Sequence, residues 1–159
     1  DETQGDSSQT ENTSDAEMSD AYEVTRVVDG DTVKIMRNGK EETLRLIGMN
    51  TPETVDPRTP VECFGKEASN KAKELLSGTK ITLEFDEGEG SLDKYQRTLA
   101  YVYMENGEMF NEWMIRNGYS YEYTYDDAYK YQSDFKAAEK YARERRLGLW
   151  SPDACSGEL

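Results

Sequence analysis

Two Asx-Gly dipeptides, Asp29-Gly30 and Asn38-Gly39, constrain this chain before anything else, because they stand between three short runs rich in β-branched residues. Such dipeptides are strong signals for tight hairpins, since Asn and Gly tolerate the positive φ that these turns need. The runs Val24 to Val28, Thr32 to Arg37 and Glu42 to Ile47 therefore predict three consecutive strands. In the third, Leu44 and Leu46 share one face, so Arg45 points to the other.

A loop holding Pro52, Pro57 and Pro60 follows, and then Phe64, Ala68, Ala72, Leu75 and Leu76 recur at helical spacing, with Gly78 where a C-cap belongs. Lys80 to Phe85 alternates as a strand with Ile81, Leu83 and Phe85 on one face. Glu87 to Asp93 reads as a loop, and Thr98 to Met104 as a fifth strand ended by Asn106-Gly107. Asn111 is a good N-cap for a short helix that stops at Asn117-Gly118. Tyr119 to Tyr125 reads as a tyrosine-rich connection. The last helix carries Tyr131, Phe135, Ala138 and Ala142 on one stripe, with Lys140, Arg143, Arg145 and Arg146 near its C-terminus, and Gly148 is expected to end it. This order is α+β, and the expected architecture is an OB-like five-stranded β-barrel with three helices, a fold that commonly binds oligonucleotides.

The length of 159 residues suits one domain. Seven of the 33 acidic residues fall in residues 1–21, which hold no base and little apolar surface. Such a segment cannot offset its ordering entropy by burial, so a disordered acidic tether is expected over 1–21, a folded domain over 22–155 and a short tail over 156–159. No apolar run approaches the ~20 residues of a membrane-spanning helix. The chain starts without a signal peptide, as a mature secreted chain would. The complete lack of histidine excludes imidazole as base, nucleophile or metal ligand. With a net charge of −14, binding to a polyanion would be weak and salt-sensitive, resting on a bound cation and a few arginines.

Three separated groups of polar residues carry the chemistry: Asp29-Gly30-Asp31-Thr32, then Arg45 through Glu53, then Asp93-Lys94-Tyr95-Gln96-Arg97. Each alone is bland, since Asp-Gly is usually only a turn and a lone arginine only a surface cation. Jointly they supply what attack on a phosphodiester requires. Oxygen ligands hold a hard dication that screens developing charge, guanidinium forks grip non-bridging oxygens, and a spare carboxylate orients and deprotonates water. Without His or Cys ligands the metal would be calcium or magnesium rather than zinc.

In order, spacing and flanking residues these groups resemble the staphylococcal nuclease (thermonuclease) family. The likeness covers about residues 24 to 151 and includes Asp29-Gly30-Asp31-Thr32-Val33-Lys34, Thr51-Pro52-Glu53-Thr54, Asp93-Lys94-Tyr95 with Arg97, Leu99-Ala100-Tyr101, Asn111-Glu112 and Trp150-Ser151. It implies a calcium-dependent, sugar-nonspecific nuclease acting on DNA and RNA, preferably single-stranded, and leaving 3′-phosphate ends. By position, Asp31 matches a calcium ligand helped by the Thr51 carbonyl, and Asp29 a nearby supporting carboxylate. Glu53 matches the general base, and Arg45 and Arg97 the phosphate clamp. Lys94 and Tyr95 match holders of a terminal phosphate, and Tyr123 and Tyr125 match tyrosines flanking the nucleotide, although ordinary packing is the alternative for those two. Asn50 stands where the staphylococcal enzyme has a calcium-binding aspartate. An amide oxygen can still coordinate but brings no charge, so metal affinity should fall. Cys63 and Cys155 would be free thiols in a cytosolic protein, whereas the secreted and surface-anchored habit of this family implies one disulfide between them. A monomer, secreted or tethered at the cell surface, is expected. The rival readings are a catalytically silent OB-type module that binds nucleic acid or protein, and a structural surface protein with an acidic spacer.

Overall fold

A computed structural model describes residues 20–52, 63–125 and 127–154. Strands β1 (Tyr22–Asp29), β2 (Thr32–Arg37) and β3 (Lys40–Leu46) form an antiparallel meander. Asn38 and Gly39 take φ of 55° and 79°, the two left-handed residues that a type I′ turn needs. β2 and β3 then pair without interruption from Arg37↔Lys40 to Thr32↔Arg45. The first Asx-Gly works differently. Gly30 is not among the residues with positive φ. A Cβ there would lie 2.7 Å from Thr51 Cγ2, so glycine is required by the close approach of the chain beyond β3.

The chain continues through β4 (Met49–Asn50), α1 (Gly65–Leu76), β5 (Lys80–Glu84), β6 (Thr98–Tyr103), α2 (Phe110–Arg116), β7 (Tyr121–Glu122), α3 (Gln132–Glu144) and a 3-10 turn (Gly148–Trp150). A closed barrel runs β1-β2-β3-β6-β5, with β5 returning to β1. The β3–β6 seam is parallel, pairing Leu44 with Thr98, Arg45 with Leu99 and Leu46 with Ala100. This is the expected five-stranded barrel with three helices. Closure leaves the main barrel with no free edge.

Alternation along the strands fills the interior. Val33, Ile35, Leu44, Leu46, Ile81 and Leu83 are all at most 1% exposed, and each such side chain contributes about 1.5–3 kcal/mol by leaving water. Ala68, Ala72 and Leu76 of α1 are buried, and Phe135, Ala138 and Ala142 form the buried stripe of α3.

Three local expectations are corrected. The N-cap of α2 is Met109, and Asn111 lies inside the helix, fully buried. Its Oδ1 accepts from Val102 N at 2.9 Å and its Nδ2 donates to Ile47 O at 2.9 Å, so this amide ties α2 to β6 and to the end of β3 instead of capping. The tyrosine-rich connection contains β7, which pairs Tyr121 with Asn50 and Glu122 with Met49. Finally, α3 ends at Glu144, and Gly148 opens the 3-10 turn beyond it. Residues 1–19 of the expected tether and the expected tail over 156–159 lie outside the described residues, as do Glu53 and Cys155.

Candidate active site

The loop between β1 and β2 places Asp31 at one end of the barrel, 8% exposed. Its Oδ1 accepts from Thr32 Oγ1 at 3.0 Å and its Oδ2 from Thr51 N at 3.0 Å. Asp29, also buried, accepts from Gly30 N through Oδ1 at 3.0 Å. The close packing of Thr51 on Gly30 therefore seats the backbone of Thr51 directly against this acidic loop.

Arg45 projects from β3 on the face opposite Leu44 and Leu46, as alternation predicts. Its Nη1 donates to Leu46 O at 2.8 Å and Met49 O at 2.9 Å, curling around the β3–β4 turn. Its Nη2 donates to Asn50 Oδ1 at 3.1 Å and lies 3.5 Å from Asp31 Oδ2. The guanidinium also lies over the Tyr123 ring, 5.9 Å from its centroid. Asn50 is held in turn by Ser120, whose Oγ accepts from Asn50 N at 3.1 Å.

Arg97 precedes β6. Residues 93–97 form a turn cinched by Asp93, whose Oδ1 accepts from Tyr95 N at 2.9 Å and Arg97 N at 2.8 Å. Asp93 Oδ2 accepts from Arg97 Nε at 2.8 Å. That bond aims the guanidinium through Nε, and its two terminal nitrogens make no hydrogen bond among the described residues. Leu99 pairs with Arg45, and Arg97 lies two residues earlier, so both arginines share one face of the seam. Towards the hairpin end of β2 and β3, Arg37 grips Glu42 with a two-point fork, 2.8 and 2.9 Å long. That fork, together with a hydrogen bond from Thr98 Oγ1, outweighs burial and holds the Glu42 carboxyl below its ordinary range. The network pins the start of β6 to β3.

Both arginines line a cleft of about 420 Å³, together with Lys94, Tyr95, Tyr123 and Tyr125. Tyr95 is 66% exposed, with the Lys94 Nζ and Arg97 guanidinium 5.3 and 5.2 Å from its ring. One cleft thus gathers the candidate phosphate and nucleotide contacts, and Asp31, Asn50 and Thr51 adjoin it through Arg45. The roles of Asp93 and Ser120 were not assigned from sequence. An Asx-turn reading of Asp93 could have found the first. Nothing local signals the second, since its partner Asn50 is 70 residues away.

The donor set fits a hard dication. Asp31 Oδ2 and Asn50 Oδ1 converge on one nitrogen of Arg45, and the buried hydroxyl of neighbouring Thr51 has no hydrogen-bond partner among the described residues. Carboxylate, amide and backbone oxygens of this kind suit calcium. Among the described residues no three Asp, Glu, His or Cys side chains converge on a metal position, so the set is poor in charge.

The family model for staphylococcal nuclease homologues matches residues 43–152. The chain is 45% identical over 130 residues to a thermonuclease of Staphylococcus hyicus, covering 82% of this chain and 75% of that protein. It is 43% identical over 131 residues to a thermonuclease of Staphylococcus intermedius, covering 82% and 76%. With endonuclease YncB of Bacillus subtilis it shares 40% identity over 127 residues, covering 79% of this chain and 59% of that protein. Since the match runs through the parallel seam, the cleft turn and the last helix, the chain belongs to the staphylococcal nuclease family.

Proposed function

We propose that the protein is a calcium-dependent nuclease that hydrolyses phosphodiester bonds of DNA and RNA, favours single strands and leaves 3′-phosphate ends. The observation that carries this reading is the pair Arg45 and Arg97, brought to one face of the β3–β6 seam above a cleft walled by tyrosines, with hard oxygen donors adjoining. The thermonuclease and endonuclease relatives support the reaction class.

Arg45 and Arg97 bind the non-bridging phosphate oxygens, a task for which a planar fork is better matched than an ammonium. Tyr123 and Tyr125 stack on a splayed nucleotide, which is why single strands are favoured. Lys94 and Tyr95 hold the neighbouring phosphate. Glu53, which matches the family's general base by position in the sequence, takes a proton from the attacking water. The water oxygen bonds to phosphorus, the bond to the 5′-oxygen breaks, and Arg97 stabilises the charge that appears there. Asp31, Asn50 and the Thr51 carbonyl would hold calcium, which when bound screens the phosphate and polarises one of its oxygens.

A secreted or surface-tethered monomer fits this role, and an extracellular site suits a Cys63–Cys155 disulfide. Supporting that pairing, no cysteine among the described residues is a free thiol. The deciding experiment measures hydrolysis of single-stranded DNA in calcium, in magnesium and in excess chelator. Calcium-dependent cleavage with 3′-phosphate products is expected. Binding without cleavage would leave a silent OB-type module, and full activity in chelator would overturn the metal assignment.

A further inference from the structure

Glu122, the second residue of β7, takes no part in the reading above, yet its carboxylate gathers one end of the cleft wall. Oε2 accepts from Tyr129 OH at 2.7 Å and from Thr124 Oγ1 at 2.7 Å. Oε1 faces Lys136 Nζ of α3 at 3.4 Å, and the Glu122 side chain is only 9% exposed. Its backbone N–H donates to Glu139 Oε2 of α3 at 3.1 Å, and Gln132 Nε2 donates to Thr124 Oγ1 at 2.8 Å. Residues 122 and 124 are thus gripped by α3 and its lead-in.

Extended chain sends alternate residues to opposite sides. With 122 and 124 facing α3, Tyr123 and Tyr125 face the site, while the Tyr121 ring packs edge-on against Trp150. Tyr121 pairs with Asn50, Tyr123 lies under the Arg45 guanidinium, and Tyr125 lines the cleft. β7 pairs through only two residues, so its ladder alone is a poor anchor for this wall. The Tyr129 that Glu122 binds also contacts Gly48 O at 3.3 Å, the same carbonyl that accepts from Tyr123 N at 2.9 Å. A Cβ at Gly48 would come within 2.6 Å of the Tyr129 and Phe135 rings, so the β3–β4 turn that supplies the backbone acceptors of Arg45 is seated tightly on them.

We infer that Glu122 is a positioning residue: it fastens the Tyr123–Tyr125 wall to α3 and keeps it in register with Arg45, and so governs how tightly the nucleotide is held rather than how fast the bond breaks. The inference rests on the nuclease reading only for its kinetic consequence. Glu122→Ala should raise KM for a single-stranded oligonucleotide about tenfold, the effect of losing roughly one well-made buried hydrogen bond, while kcat stays within about twofold. Glu122→Gln keeps an oxygen acceptor for the two hydroxyls and should bring KM back to within about threefold of wild type. Tyr129→Phe takes the hydroxyl from Glu122 and from Gly48 O but leaves Thr124 and Lys136 on the carboxylate, so it should fall between them, which keeps the test available if Glu122→Ala does not fold. Amide hydrogen exchange at Tyr121 to Tyr125 should quicken in the same rank order. An unchanged KM, a fall in kcat alone, or a Gln variant as poor as the Ala variant overturns the inference. Should the wild-type protein cleave nothing, the nuclease reading falls, and exchange still decides: faster exchange in Tyr129→Phe upholds the anchor and unchanged exchange rejects it.

Discussion

Arg45 and Arg97 are held in different ways, and the difference has consequences. Arg45 has four polar partners inside the protein, on Leu46, Met49, Asn50 and Asp31, whereas among the described residues Arg97 is aimed by one carboxylate, Asp93, and lies against the Tyr95 ring. Lysine has no fork with which to reproduce either arrangement. Both Arg45→Lys and Arg97→Lys should therefore lose kcat by about 2.7–4 kcal/mol, the usual cost of one transition-state electrostatic contact. Arg45→Lys should also lower the melting temperature, since it strips bonds from the β3–β4 turn. Single-turnover rates beside melting curves check both, and a lysine variant with wild-type kcat would reduce these arginines to surface cations. At Asn50 a carboxylate would add charge to a charge-poor oxygen set. Asn50→Asp should tighten calcium binding by roughly tenfold, because ligand charge count tunes affinity. Titration calorimetry reads this directly, and an unchanged Kd would remove Asn50 from the ligand set.

The attachment of α3 to the barrel depends on two carboxylates near the end of β5. Glu84 accepts from Tyr103 OH and Tyr131 OH, each at 2.7 Å, and from Lys130 Nζ at 2.6 Å. Asp86 accepts from Tyr101 OH at 2.6 Å and Lys130 N at 2.8 Å. Burial pushes both carboxyls up, but these hydrogen bonds outweigh it and hold both below their ordinary values. A carboxyl depressed in the folded state stabilises fully above its unfolded pKa, about 4, and that stability is lost as pH falls through the lowered folded value. The melting temperature should therefore be flat from neutral pH to about 5 and drop steeply below about 4. Asp86→Asn should lower the neutral plateau and flatten the acid slope. An acid limb equally steep in the variant would place the sensitivity elsewhere.

Across the whole molecule the dominant fact is an acidic chain that must hold a polyanion. The seven acids of residues 1–21 add seven negative charges, which repel phosphate. Deleting Asp1 to Asp20 should leave the melting temperature unchanged, given how little apolar surface the segment offers for burial. The deletion should also tighten binding to single-stranded DNA at low salt, an effect that vanishes as added salt shortens the Debye length. Melting curves and fluorescence titrations at two salt concentrations test both halves. A lower melting temperature after deletion would show that the segment docks on the domain.

Much of this protein was readable along the chain because the signals involved are local. Two-residue alternation set which way Arg45 faces, Asn38-Gly39 set one hairpin, and apolar stripes set α1 and α3. The candidate site residues were nominated by the family motifs they sit in, and of these Arg45, Lys94, Tyr95, Arg97, Tyr123 and Tyr125 line one cleft. What could not be read depends on partners remote in the chain. Asn111 has the chemistry of a cap, yet its amide is used across the fold, joining Val102 to Ile47. Gly30 has the look of a turn glycine and is needed for the approach of Thr51. Ser120 and Glu122 sit in an unpatterned tyrosine-rich stretch, and only the pairing of β7 with β4, outside the closed barrel, brings them against Asn50 and Met49. A residue's propensity and periodicity describe its own backbone, whereas burial and hydrogen-bond satisfaction are settled by whichever distant groups packing brings to it.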